Sequence, residues 1–152
     1  MLRIGLAQMD IKLGDREANF AAVEEWMKKY WTPSETETAV VLPEMFDVGY
    51  VIDEADKYAD RGAERAVEFL SGLARRYNVW FAGGSVLARD GGAAVNRALV
   101  VNPRGEYVAH YDKVHLVPMM DEDKYLRGGS EFCAFDLGGV KCALAICYDL
   151  RF

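Results

Sequence analysis

Short apolar runs alternate with amphipathic stretches in the first half of this 152-residue chain and with turn signals in the second, and that alternation is what most limits its fold. Leu2 to Met9 carries no charge after Arg3, the pattern of a strand buried on both faces. Asp15 is placed to cap a helix in which Phe20, Val23, Trp26 or Met27, and Tyr30 recur at helical spacing. Lys28 and Lys29 lie near its negative end, and Pro33 stops it. After the polar Thr32 to Thr38 loop, Ala39-Val40-Val41-Leu42 reads as a second buried strand ended by Pro43. From Arg61 to Tyr77, the residues Ala66, Phe69, Leu70, Leu73 and Tyr77 form one apolar stripe, and Asn78 is a natural helix stop.

The second half changes rhythm. Val79 to Val86, Val95 to Val101 and Tyr107 to Tyr111 are strand-like, separated by the turns Asp90-Gly91-Gly92 and Asn102-Pro103-Arg104-Gly105. Gly128-Gly129 and Gly138-Gly139 then set off two further strands, Glu131 to Leu137 and Val140 to Cys147. Strand-helix-strand-helix followed by hairpin-linked strands predicts an α/β layered fold with a mixed sheet, in one domain without repeats or a linker.

Net charge narrows the partners. With 18 basic against 24 acidic residues the chain carries −6, which argues against nucleic acid or an anionic membrane as a partner. No apolar stretch reaches the roughly 20 residues needed to span a bilayer, and the first residues lack the pattern of a signal peptide. Cys133, Cys142 and Cys147 form neither a disulfide framework nor a CxxC pair, which points to a reducing, cytoplasmic setting.

Three residues at expected strand ends stand out: Glu44 after AVVLP, Lys113 in His110-Tyr111-Asp112-Lys113-Val114-His115-Leu116, and Cys147 after CALAI. Sites of α/β sheets gather at strand ends, so residues distant in sequence can meet there. Nearby charges are expected to lower the pKa of Cys147 and raise its reactivity. A carboxylate can take the thiol proton, the thiolate can attack an amide carbon, and an ammonium can stabilise the resulting oxyanion, with the backbone N–H of Tyr148 as a second donor. This chemistry needs no metal and no cofactor. Each residue also has a plainer reading: a strand-end glutamate or lysine is commonly solvated, and Cys133 and Cys142 read as small apolar residues. A Cys-His pair using His115 or His110 is the lesser alternative, and no zinc spacing is present.

These segments resemble the carbon–nitrogen hydrolases of the nitrilase superfamily. LPEMF is similar to that family's glutamate motif, Tyr111-Asp112-Lys113-Val114-His115-Leu116 to its lysine motif, and Ile146-Cys147-Tyr148-Asp149-Leu150-Arg151-Phe152 to its nucleophile motif. The resemblance implies Glu44 as general base, Lys113 as oxyanion stabiliser and Cys147 as nucleophile. It further implies a second glutamate after the lysine motif, for which Glu122 is the best match, with Asp121 and Asp123 as neighbours that leave the register open and a solvated acidic turn as the plainer reading. Asp149 and Arg151 are expected to buttress the nucleophile turn as an ion pair. CYDLRF is closest in form to the ω-amidase-like branch, which implies hydrolysis of the terminal amide of a short carboxylic acid, such as a 2-oxo acid monoamide.

By the same resemblance the fold is the N-terminal part of a four-layer αββα sandwich, and the protein a homo-oligomer acting on a small-molecule amide. Family domains run considerably longer, so residues 1–152 are expected to be a hydrolase domain incomplete at the C-terminus and to expose apolar surface. The alternative is a truncated, inactive hydrolase serving as an oligomeric or interaction module.

Overall fold

The computed structural model describes residues 1–152, and it is organised around one six-stranded mixed sheet. Strands β1 (Arg3–Leu6), β2 (Thr38–Val41) and the start of β4 (Trp80–Asp90) run parallel. β5 (Ala93–Val101) and β6 (Tyr107–Asp112) continue the sheet antiparallel from β4, in the order β1-β2-β4-β5-β6. The two-residue β3 (Asp60–Arg61) pairs with the far half of β4 at Ala88 and Arg89. β7 (Ala134–Leu137) and β8 (Val140–Ala143) form a separate hairpin.

Helices α1 (Arg16–Tyr30) and α3 (Glu64–Tyr77) cover one face of the sheet, and the one-turn α2 (Ala55–Tyr58) lies between them in sequence. α1 starts where the Asp15 carboxylate accepts the Ala18 N–H at 3.0 Å, and α3 ends at Asn78 in the left-handed region. Val23 and Met27 of α1 and Ala66, Leu70 and Leu73 of α3 pack against Val40, Phe81, Val95 and Leu99 of the sheet. The rings of Phe20 and Phe69 stack at 4.1 Å between the two helices. No helix is long and apolar enough to cross a membrane.

Two expectations need correcting. β1 is buried on one face only: Ile4 and Leu6 are 58% and 68% exposed, because β1 is an edge strand and nothing within these residues covers its second face. The last strand also ends earlier than expected, at Ala143. Beyond Leu144, whose N–H still reaches the Cys133 carbonyl, the backbone leaves the hairpin, and the Ile146 N–H turns to the Asp149 carboxylate instead. Cys147 is therefore delivered by an extended segment held by a side chain, rather than by a sheet ladder.

Candidate active site

The loop carrying Glu44 is shaped by a bulge in β4. The β4–β5 register shifts between Ala82 and Ser85, across Gly83 and Gly84, both at positive φ. A Cβ on Gly84 would lie 2.5 Å from the Leu42 Cβ, so only glycine allows the close approach to β2. The bulge presents Ser85 to the loop. Its hydroxyl accepts the Met45 N–H at 3.0 Å, its carbonyl accepts the Phe46 N–H at 2.9 Å, and its N–H reaches the Pro43 carbonyl at 3.1 Å. Glu44 is thus fixed from both sides.

Further along, the fully buried Asp47 accepts the Leu87 N–H and pairs with Arg16. Burial pushes the Asp47 carboxyl up, against the opposing pull of Arg16. Asn19 of α1 donates to the Asp47 carbonyl at 2.9 Å, tying the loop to the helix layer.

Lys113 follows the last residue of β6, its N–H bound to the Asn96 carbonyl and its carbonyl to the Gly129 N–H, both at 2.9 Å. Its side chain is 1% exposed, and Nζ lies 3.0 Å from Glu44 Oε1 and 2.9 Å from Glu122 Oε1. Burial alone would lower the ammonium pKa, but the two carboxylates outweigh it and the net shift is upward, so Lys113 stays charged.

Glu122, the first residue of the one-turn helix α4 (Glu122–Tyr125), is fully buried. Its Oε1 accepts the Tyr50 hydroxyl at 2.6 Å as well as Lys113, and its Oε2 accepts the Val117 N–H at 2.7 Å. Asp121 and Asp123 are exposed, and Asp121 pairs with Lys124. Glu122 is the acid that faces Lys113, and it is not part of a solvated turn.

Cys147 opens a 3₁₀ turn, Cys147–Arg151, with φ of 48°, an unusual backbone for a residue bearing a side chain. The cysteine and Glu44 line the same cleft of about 300 Å³, otherwise mostly apolar. Contrary to expectation, the thiol pKa is raised. Desolvation is the largest cause, followed by the Glu44 charge and a hydrogen bond to it, with Lys113 opposing. Desolvation sets the sign, and the charges do not reverse it: one ammonium stands between two carboxylates, so a thiolate would be a third anion beside one cation. The protonated form of the resting thiol is therefore favoured.

The expected Asp149–Arg151 ion pair does not form. Arg151 is exposed and lies 5.9 Å from the Tyr148 ring centroid. Asp149 turns inward and accepts the Ile146 and His115 N–H groups at 2.9 Å each and the Tyr111 hydroxyl at 2.8 Å, with His115 Nδ1 also at 2.9 Å. Burial by itself would raise the Asp149 pKa, but these donors win and lower it. The carboxylate clamps the residue before Cys147 to the segment just after Lys113, and so sets the thiol relative to the ammonium.

His115, held by Asp149 and stacked on Phe152 at 3.9 Å, is part of this clamp. His110 is exposed and stacks on Tyr107 at 5.9 Å. The observed contacts of neither histidine include Cys147.

Asp149→Asn is expected to cost about 3 kcal/mol, because an amide sets an N–H against donors that now meet a carboxylate. The native pKa is depressed, so this stabilisation is full above the ordinary aspartate range and is lost as pH falls through the lower native value. Urea melts between about pH 6 and about pH 2 should show a shallower acid dependence for the variant than for the parent.

Comparison with known proteins gives the family. Residues 3–152 match the family model described as carbon-nitrogen hydrolase. The chain belongs to the carbon–nitrogen hydrolase family. It is 34% identical over 149 residues to the 2-oxoglutaramate amidase of Bacillus subtilis, covering 98% of this chain and 56% of that protein. A CN-hydrolase superfamily protein of Xanthomonas campestris, solved with an arsenic adduct in its active site, superposes with a TM-score of 0.89 at 28% identity, over 99% of this chain and 55% of that one. Saccharomyces cerevisiae Nit3, a member of branch 10 of the nitrilase superfamily, gives 0.85 at 28% identity, over 99% and 57%. The chain therefore spans a little over half the length of these relatives.

Tyr50, through Glu122, and Asn96, through Glu44 and Lys113, contact the site without having been singled out in the sequence. Asn96 is the only polar residue of Ala94 to Val101 besides Arg97, a signal that a buried strand holds a polar partner; Tyr50, in a loop, gives no such signal.

Proposed function

We propose that this chain carries the catalytic residues of an amidase, with Cys147 as nucleophile, Glu44 as general base, Lys113 as oxyanion stabiliser and Glu122 as the acid that positions Lys113. One observation supports the reading above all others: the buried Lys113 ammonium bridges Glu44 and Glu122, while Glu44 shares a cleft with Cys147.

Glu44 takes the thiol proton as sulfur bonds to the amide carbon, and the carbonyl π electrons move to oxygen. The third Lys113 proton and the Tyr148 N–H stabilise that oxyanion. Collapse reforms the carbonyl and expels the amine, which receives the proton from Glu44, leaving a thioester and ammonia. Glu44 then takes a proton from water, whose oxygen attacks the thioester; collapse releases the acid and returns the proton to sulfur.

The substrate class is the terminal amide of a short carboxylic acid, in keeping with the likeness to a 2-oxoglutaramate amidase. The exposed Ile4, Leu6, Leu150 and Phe152 are further reason to assign part of the domain, and of the pocket wall, to chain beyond these residues, with self-association as a second way of covering them. Ammonia release from a panel of short-chain amides, 2-oxo acid monoamides and the matching nitriles tests the reading. Turnover of amides, strongest for the carboxylate-bearing ones, is expected; turnover of nitriles alone would overturn it.

The raised thiol pKa gives a second expectation. Direct ionisation of Cys147 should have its midpoint above the ordinary thiol range, and Glu44→Gln should bring it down by removing the nearest anion. Thiolate absorbance against pH in a Cys133→Ser, Cys142→Ser background measures both, and an upward shift in Glu44→Gln would contradict the assigned contact.

A further inference from the structure

Asn96 sits in β5, 1% exposed, and touches two members of the site at once. Its backbone carbonyl accepts the Lys113 N–H at 2.9 Å, and its side-chain Nδ2 donates to Glu44 Oε1 at 2.8 Å. Glu44 Oε1 therefore receives two nitrogen donors, Asn96 Nδ2 and Lys113 Nζ, whereas no nitrogen donor is bound to Oε2. The amide orientation is fixed by chemistry, since the flipped form would set an oxygen against the carboxylate. In consequence Asn96 Oδ1 is buried without a partner. An apolar side chain of the same size would avoid that unpaired acceptor, so fold stability alone does not account for an asparagine here.

We propose that Asn96 is a positioning residue that, with Lys113, locks Glu44 by Oε1 and leaves Oε2 as the oxygen that takes the Cys147 proton. This rests on the reading of Glu44 as the base. Holding one oxygen with two donors fixes the rotation of the carboxylate, which a base that must meet a protonated thiol in one geometry requires.

The test is the pH dependence of acrylamide addition to Cys147 in the 152-residue chain, followed by intact mass. In that reaction sulfur bonds to the terminal alkene carbon, the alkene electrons shift to the carbon beside the carbonyl, and that carbon takes the proton that Glu44 removed from the thiol. The parent should show an acid limb, reporting protonation of the base. Asn96→Leu should melt no lower than the parent, yet react about tenfold more slowly near neutral pH, with its limb moved to higher pH. Asn96→Asp, which keeps the size and adds a charge beside Glu44, should move the limb further, by about one pH unit or more.

Glu44→Gln separates the two ideas. Loss of the limb in that variant, with an unmoved limb in both Asn96 variants, would overturn the role of Asn96 while leaving the base in place. A limb that survives Glu44→Gln would remove the base itself, and the proposal with it. A large fall in melting temperature of Asn96→Leu, without a change in the limb, would assign Asn96 a structural role instead.

Discussion

Cys147→Ala should lower ammonia release from a turned-over amide by on the order of 10⁴-fold or more, because no other group near Glu44 can form the covalent intermediate. Cys133 and Cys142 belong to the β7–β8 hairpin region and are half-buried, and the observed site contacts include neither. The substitution removes a partly exposed thiol at the mouth of a cleft, so the melting temperature should change little. Steady-state rates and thermal melts on parent and variant together separate a chemical loss from unfolding.

Lys113→Met should affect both stability and rate. Losing the ammonium leaves Glu44 and the fully buried Glu122 facing each other without a cation, and breaking a buried pair in this way costs about 3–5 kcal/mol. For a chain of this size that is a fall of roughly 10 °C in Tm. The rate should drop by about 10²–10³-fold beyond any unfolding, through loss of an oxyanion donor. Adding Glu122→Gln to Lys113→Met removes the orphaned charge. The double variant should recover most of the stability and none of the activity, and equal recovery of both would show that Lys113 acts only by holding the fold together.

The parts of the fold that were legible in the sequence are those where local chemistry agrees with packing. Asp15, Asn78 and the Asp90-Gly91-Gly92 turn end their elements where capping and turn preferences say they should, and the apolar stripe of α3 meets the sheet as its spacing implies. The errors lie where tertiary partners decide. Nothing in the CALAI segment indicates that the Ile146 N–H binds the Asp149 carboxylate, so the strand was expected to run on to Cys147. Arg151 is the nearest cation to Asp149 in sequence, yet Tyr111 and His115 reach it first across the fold.

The site shows the same division. Glu44, Lys113 and Cys147 were recognisable because each lies at an expected strand end, and Glu122 because the family resemblance implies a second glutamate after the lysine motif. Their electrostatics were not legible. The sign of the Cys147 shift depends on desolvation and then on the Glu44 charge, which together outweigh Lys113 and which only the folded arrangement reveals. Likewise the Gly83-Gly84 bulge, which in sequence interrupts a strand, is what brings Ser85 to the Glu44 loop.

The most direct measurement of the central claim is the mass of the protein quenched in acid during turnover of a short-chain amide, with peptide mapping of the adduct. The account predicts an acyl group, carried without its nitrogen, on Cys147 and on no other residue, appearing together with one equivalent of ammonia and absent in Cys147→Ala. Ammonia released at an undiminished rate by Cys147→Ala, or an acyl group mapped to Cys133 or Cys142, would contradict it.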